Sequence, residues 1–230
     1  MNDRRLYSYF RSSASYRVRI ALNLKGLDYA TVPVHLLQGD QHGAAFIARN
    51  PAQLVPVLED GPVTLTQSLA IIEYMDETQP AKPLLPRDPA ARAWVRSAAL
   101  SIACDIHPLN NLRVMRYLES ELHVEEALRQ AWTRHWITQG FAALEQSLSS
   151  HDRAPGYCHG DSPTLADCCL IPQVFNALRA HCPLDSFPAI AHIYEHCMSL
   201  PAFQRAAPSA QPDSRQPSEG VPSPQEPSRP

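Results

Sequence analysis

Hydrophobic and polar positions change their period several times along the first eighty residues. Leu6–Tyr9 is a short apolar and aromatic run that reads as a strand. Ser15–Leu24 sets Val18, Ala21, Leu22 and Leu24 near one face at helical spacing, and Lys25-Gly26 closes that helix. Tyr29–Val34 is rich in β-formers and predicts a second strand. Residues 42–49 predict a short helix stopped by Asn50-Pro51. Val55–Leu58 and Val63–Leu65 flank Asp60-Gly61, a hairpin signal. Ser68–Thr78 is helical again, with Leu69, Ile72 and Met75 inward and Gln79-Pro80 at its end.

The order is βαβαββα. Strands joined by a helix run parallel, and hairpin strands run antiparallel. This predicts an α/β thioredoxin-like N-terminal domain over residues 1–82. Prolines at 80, 83, 86 and 89 punctuate the next segment, so 83–88 reads as a linker and Asp88-Pro89 caps the helix after it. From 89 to 205 the pattern predicts an all-α domain. Its helical stretches are Ala90–Ser120, interrupted near His107-Pro108, then Glu125–Ser149, Thr164–Arg179 and Pro188–Leu200. Thr164-x-x-Asp167 resembles a capping box with Asp in place of Glu. Residues 206–230 carry seven prolines among Ser, Gln, Glu and Arg, and read as a disordered tail.

Composition narrows the class. A net charge of −3 and the lack of a basic run give no reason to expect a nucleic acid or a membrane surface as partner. No apolar stretch is long enough to cross a bilayer, and Met1–Arg5 leads into a strand without a signal-peptide core, so a cytoplasmic location is expected. None of the six cysteines forms a Cys-x-x-Cys pair, and most read as buried free thiols. His192-x-x-x-His196-Cys197 has helical ligand spacing but no third partner nearby, so no metal is expected.

Candidate chemistry gathers where the first strand meets the first helix. Ser12, Ser13, Arg11 and Arg17 cluster there, and a helix N-terminus favours an anion. The stretch has no cysteine, so a thiolate held there comes from a ligand, which is the logic of a glutathione site. Ser12 and Ser13 read either as a helix cap with spare hydroxyls or as donors to that thiolate. Tyr9 is a rival donor and otherwise an ordinary strand tyrosine. Val55-Pro56 reads as a cis turn whose backbone pairs with a peptide ligand, or as a trans proline on an edge strand. Ser68, after Gln67, either caps its helix or holds a carboxylate. His107, Asn110, Asn111 and Arg113 put polar groups within two turns of an apolar helix. Arg11, Arg113 and Arg179 could match a dicarboxylate.

Together these residues resemble the zeta class of glutathione transferases over about residues 4–212. The specific pieces are Tyr7–Leu22 with its Ser12-Ser13 pair, Asn50-Pro51 with Val55-Pro56, Gln67–Tyr74, and Thr164–Val174. The resemblance implies a homodimeric cis–trans isomerase with glutathione as cofactor and a dicarboxylate or keto acid as substrate. Maleylacetoacetate is the substrate it implies first, with maleylpyruvate or haloacids as alternatives. It implies Ser12 and Ser13 at the thiolate, and Arg17, Gln41, Val55, Pro56, Gln67 and Ser68 around the tripeptide. It also implies His107, Asn111 and Arg113 from the helical domain, and Arg11, Arg113 and Arg179 at the substrate carboxylates. Ala14 departs from the family, whose members carry cysteine there, so this corner presents no protein thiol.

Overall fold

A computed structural model describes residues 4–150 and 156–215. The N-terminal part runs β1 (Arg4–Ser8), α1 (Ser13–Lys25), β2 (Ala30–Pro33), α2 (Ala44–Ile47), β3 (Val57–Asp60), β4 (Val63–Thr66) and α3 (Ser68–Thr78). Its sheet has the order β2-β1-β3-β4. β1 pairs with β2 in parallel and with β3 antiparallel, and β3–β4 is an antiparallel hairpin in which Asp60 pairs with Val63 and the chain turns at Gly61-Pro62. Gly61 has φ +59°, the left-handed geometry that such a turn needs.

The pleat divides the sheet's side chains between two cores. Leu6 and Leu58 point toward α1 and α3, whereas Tyr7, Tyr9 and Val57 pack with Val34, Phe46 and Val55 on the opposite face. β1 is therefore covered on both sides, and four of its five residues are buried. Helix α2 is shorter than the expected 42–49, because Asp40–His42 forms a separate 3₁₀ turn and Gly43 restarts the chain.

The helical part contains α4 (Pro89–Leu100), a π-helical turn at Ser101–Ile106, a 3₁₀ turn at His107–Asn110, α5 (Leu112–Ser120) and α6 (Glu126–Ser150). It continues through α7 (Leu165–Arg179), α8 (Pro188–Met198) and α9 (Pro201–Ala206). Asp88 caps α4, accepting from the Ala91 N–H at 2.8 Å. Thr164 and Asp167 make the expected capping box, and the buried Asp167 carboxylate accepts the N–H groups of Thr164 and Cys158 and the Thr164 hydroxyl. Helix α1 packs on α7 and α9, so one apolar core runs through both parts of the molecule.

The buried Lys25 ammonium ties the connecting segment down. It pairs with Asp76 at 2.8 Å and donates to the Lys82 carbonyl, while Asp76 accepts the N–H groups of Leu84 and Leu85. Among the described residues no helix is long and apolar enough to cross a membrane.

The chain beyond 205 corrects the expected tail. Ala206 ends α9, Pro208–Ala210 and Pro212–Arg215 form 3₁₀ turns, and Pro208, Asp213 and Gln211 between the turns are buried. The polar side chains there spend their hydrogen bonds on the protein. Gln211 Nε2 donates to the Arg205 and Ala207 carbonyls, and Asp213 accepts the Phe10 N–H. The rest of the expected tail, 216–230, lies outside the described residues.

Candidate active site

A cleft of about 910 Å³ separates the sheet's α1 end from α5 and the turns before it. Arg11, Ser12, Ser13, Arg17, Gln41, Val55, Pro56, Gln67, Ser68, His107, Asn111, Arg113 and Arg179 all line it, as does Tyr9. Its size is that of a site for a small organic ligand.

At the β1–α1 corner, Ser12 is the N-cap of α1. Its backbone is extended (φ −68°, ψ 118°) and its hydroxyl oxygen accepts the Ser15 N–H at 3.2 Å. Capping uses an oxygen lone pair and leaves the hydroxyl hydrogen free to donate. Capping and ligand binding are thus compatible at Ser12. Ser13 and Ala14 form the first turn and line the cleft, so their N–H groups belong to the unsatisfied helix end. The Tyr9 phenol has its pKa raised, chiefly by burial and further by Asp213, against the opposing effect of Arg11 and Arg179. It is a proton-bearing donor at neutral pH.

The floor is built by the sheet and α3. The Val55–Pro56 bond is cis and precedes β3. That strand lies between β1 and β4, which excludes the trans edge-strand reading. Proline brings no N–H to a ladder, and β3 accordingly starts at Val57 rather than at Val55. Gln67 sits at φ 68°, ψ 115°, a conformation that costs a non-glycine residue about 1–3 kcal/mol and is typical of ligand clamps. Ser68 is the first residue of α3 and does not cap it. Its hydroxyl instead accepts Arg17 Nη1 at 3.3 Å.

Arg17 is the most telling group in the cleft. Its guanidinium is buried, which lowers its pKa from the usual arginine value, partly offset by the neighbouring Cys169 and Cys104 thiols. Its Nε and Nη2 hydrogens meet no acceptor among the described residues. A buried cation with idle donors is costly unless an anion completes it. Gln41 is also buried. Its amide nitrogen lies 3.0 Å from His42 Nε2, and its Oε1 has no partner among the described residues.

The helical wall carries a break in regular winding. The π-helical turn at Ser101–Ile106 and the 3₁₀ turn after it set Cys104 and His107 on the cleft. Burial pushes the His107 pKa down to about 3, helped by Arg17 and Arg113, so the ring stays neutral. Asn111 Nδ2 lies 3.4 Å from His107 Nε2, which assigns the ring proton to Nδ1, a buried atom with no partner among the described residues. Asn111 also caps α5, accepting the Arg113 N–H. Its amide is thus committed to holding this wall together.

Arg11 and Arg179 face each other's fields. The Arg179 pKa is lowered by burial and then by Arg11, and a dianion placed here relieves that repulsion. The Arg11 guanidinium stands 5.1 Å over the Phe10 ring, and that of Arg179 stands 5.9 Å over Phe175.

Two cleft features escape a reading of the sequence. Cys104 supplies a protein thiol on the helical wall although Ala14 removes one from the α1 corner, and its position three residues before His107 is the available signal. Arg116 also lines the cleft, donating to the Leu36 carbonyl at 3.2 Å. Five of the six cysteines are buried, and Cys104 is exposed. His192 and His196 lie on α8, and no metal-binding group of three His, Cys, Asp or Glu side chains occurs among the described residues.

Fold and cleft define a thioredoxin-fold protein that offers an anionic ligand a helix N-terminus, hydroxyls and arginines, with a helical domain as the opposite wall. Comparison with known proteins narrows this. Residues 3–77 match the family model "Glutathione S-transferase, N-terminal domain". A Vibrio cholerae serotype O1 protein named "Probable maleylacetoacetate isomerase" is 50% identical over 210 residues, covering 90% of this chain and 97% of that protein. The holo structure of a maleylpyruvate isomerase, described as a bacterial zeta-class glutathione S-transferase, superposes with a TM-score of 0.89 at 46% identity. The match covers 91% of this chain and 99% of that one. A maleylacetoacetate isomerase structure from Methylobacterium extorquens AM1, with bound malonate and GSH, gives a TM-score of 0.88 at 40% identity, covering 91% and 98%. The chain belongs to the glutathione S-transferase family, in its zeta class.

Proposed function

We propose that the chain is a glutathione-dependent cis–trans isomerase that converts maleylacetoacetate to fumarylacetoacetate. The observation that carries the reading is buried Arg17, which lines a cleft that also offers the α1 N-terminus and has two N–H donors that meet no acceptor among the described residues. These residues fit glutathione. Arg17 and Ser68 would take a carboxylate of the tripeptide, Val55 beside cis Pro56 its peptide backbone, and Gln41 and Gln67 its polar ends. When bound, glutathione supplies a thiolate that adds reversibly to a conjugated double bond.

The chain's own residues do the rest. The Ser12 hydroxyl, aided by Ser13 and the helix end, donates to the sulfur and holds it ionised. Arg11, Arg113 and Arg179 orient the substrate carboxylate and stabilise the negative charge that develops on its carbonyl oxygen. Neutral His107 adds no charge to the helical wall. Residues 1–82 form the glutathione-binding domain and 89–205 the substrate-binding domain in this reading.

Maleylpyruvate is the second candidate substrate, supported by the likeness to the holo maleylpyruvate isomerase. Both acids present the same cis double bond beside a carboxylate and differ in chain length. Isomerisation of maleylacetone and of maleylpyruvate, followed by ultraviolet absorbance with and without glutathione, tests the reading. Turnover that requires glutathione supports it, and the ratio of the two kcat/KM values selects the substrate. Binding of glutathione without turnover of either compound would overturn it in favour of conjugation to haloacids.

We also propose a homodimer in the cytoplasm, where free thiols persist. Light scattering would then give a mass near twice 25.6 kDa.

A further inference from the structure

The corner that presents Arg11 and Ser12 is held from the far end of the chain. Phe10, between Tyr9 and Arg11, has both backbone polar groups taken. Its N–H donates to Asp213 Oδ2 at 2.9 Å, across 203 residues of sequence. Its carbonyl accepts Arg19 Nη2 at 3.0 Å. Arg19 is fully buried and spans the gap between the corner and the C-terminal segment. Its Nη1 donates to the Ser8 hydroxyl at 3.0 Å and its Nε to the Ala206 carbonyl at 2.9 Å. All of these acceptors are neutral oxygens. Burial lowers the Arg19 pKa to about 10, and Asp213 is the only carboxylate among the groups that oppose the shift.

Asp213 is itself buried, on a 3₁₀ turn fixed by the Gln211 amide and by Ser214, whose hydroxyl donates to the Gln211 carbonyl at 2.7 Å. The residue whose backbone this bond holds carries the ring on which the Arg11 guanidinium rests. A shift of Phe10 therefore moves Arg11, whereas Arg17, Val55 and Ser68 hang from other elements.

We propose that Asp213 is a positioning residue: the C-terminal turn clamps Phe10 so that Arg11 stands where a substrate carboxylate binds. The inference rests on the isomerase reading of the cleft. Its signature is a split between ligands. Substrate affinity depends on the clamp, and glutathione affinity does not.

The test compares wild type with Asp213→Ala, Asp213→Asn, and chains ending after Arg215 or after Gln211. KM for maleylacetone and for glutathione are read for each. Malonate binding in the presence of glutathione is measured by calorimetry. Circular dichroism and melting report folding. Asp213→Ala and the chain ending at Gln211 are expected to raise KM for maleylacetone and Kd for malonate about ten-fold, the scale of a lost charged hydrogen bond. KM for glutathione changes less than about two-fold. Asp213→Asn keeps an acceptor for the Phe10 N–H and recovers most of the loss, and the chain ending at Arg215 matches wild type.

A folded Asp213→Ala with unchanged malonate affinity, or with glutathione and malonate weakened equally, overturns the clamp. If Asp213→Ala does not fold, the chain ending at Gln211 decides by the same criteria, and failure of both to fold assigns Asp213 to stability and overturns the proposal. A wild type that binds malonate without isomerising maleylacetone would sink the isomerase reading while leaving the clamp to stand or fall on the malonate arm.

Discussion

Replacing Ser12 with alanine removes two interactions that can be separated. The first is the cap on α1, where the hydroxyl oxygen accepts the Ser15 N–H at 3.2 Å. Losing such a cap costs about 1 kcal/mol, which lowers the melting temperature of a domain this size by roughly 2–4 °C. The second is the hydrogen bond that the hydroxyl donates to the glutathione sulfur. A hydrogen bond to a charged partner contributes about 1.5–3 kcal/mol, which equals roughly one to two units of thiol pKa.

Losing the donor raises the pKa of the bound thiol, so the thiolate fraction at neutral pH falls, by about two- to ten-fold where the wild-type thiol titrates near 6 and more where it titrates higher, and activity returns as pH rises. Ser12→Ala should therefore shift the alkaline-rising limb of the rate profile up by about one to two units, with glutathione still binding. Ser12→Asp separates the two roles. Aspartate caps well and suits a helix N-terminus, so stability is kept, but its charge repels the thiolate and activity is lost. Ser12→Thr keeps both functions. Maleylacetone turnover across pH 6–10, with melting curves for each variant, provides the readout. A Ser12→Ala profile superimposable on wild type would refute the role of Ser12 and transfer it to Ser13 or Tyr9.

Arg17→Met should weaken glutathione binding by at least about ten-fold in calorimetry while the melting temperature stays level or rises, because it deletes a buried charge with idle donors. His107 has a folded-state pKa of about 3 against an ordinary 6.5, so the unfolded chain binds the extra proton first and stability falls as pH drops from about 6.5 toward 3. His107→Gln should flatten that acid limb of the stability curve, measured by denaturant unfolding between pH 4 and 7. The wild-type rate profile should show no step from His107 between pH 5 and 8.

The sheet is readable from sequence because its signals are local. The Leu6–Tyr9 run overlaps β1, the Asp60-Gly61 signal falls one residue before the Gly61-Pro62 turn, and Ser68–Thr78 forms a helix with the expected bounds. The β1–α1 corner is readable for a similar reason, since hydroxyls and arginines at a strand–helix junction name their own chemistry.

Arg19 and Asp213 are not readable. An arginine beside Val18 and Ile20 gives no hint that its guanidinium is fully buried on carbonyls from Phe10 and Ala206. Pro, Ser and Gln in 206–215 have the composition of a tail, yet their hydrogen bonds go to residues that only the tertiary fold brings near. Cys104 is hidden by the π-helical turn, since a regular 3.6 period gives no reason to aim it at the cleft. The sequence leaves Ser68 divided between capping and binding. The helix begins at Ser68 itself, with Gln67 at positive φ in the cap position, which frees the hydroxyl for Arg17.

The most direct test of the central claim measures product and free thiol together in one tube. Proton NMR would record cis and trans maleylacetone while a thiol titration records glutathione, with glutathione far below substrate. A cofactor role predicts many trans products per glutathione and a constant thiol titre. Loss of one thiol per substrate consumed, or isomerisation at the same rate without glutathione, would contradict the account.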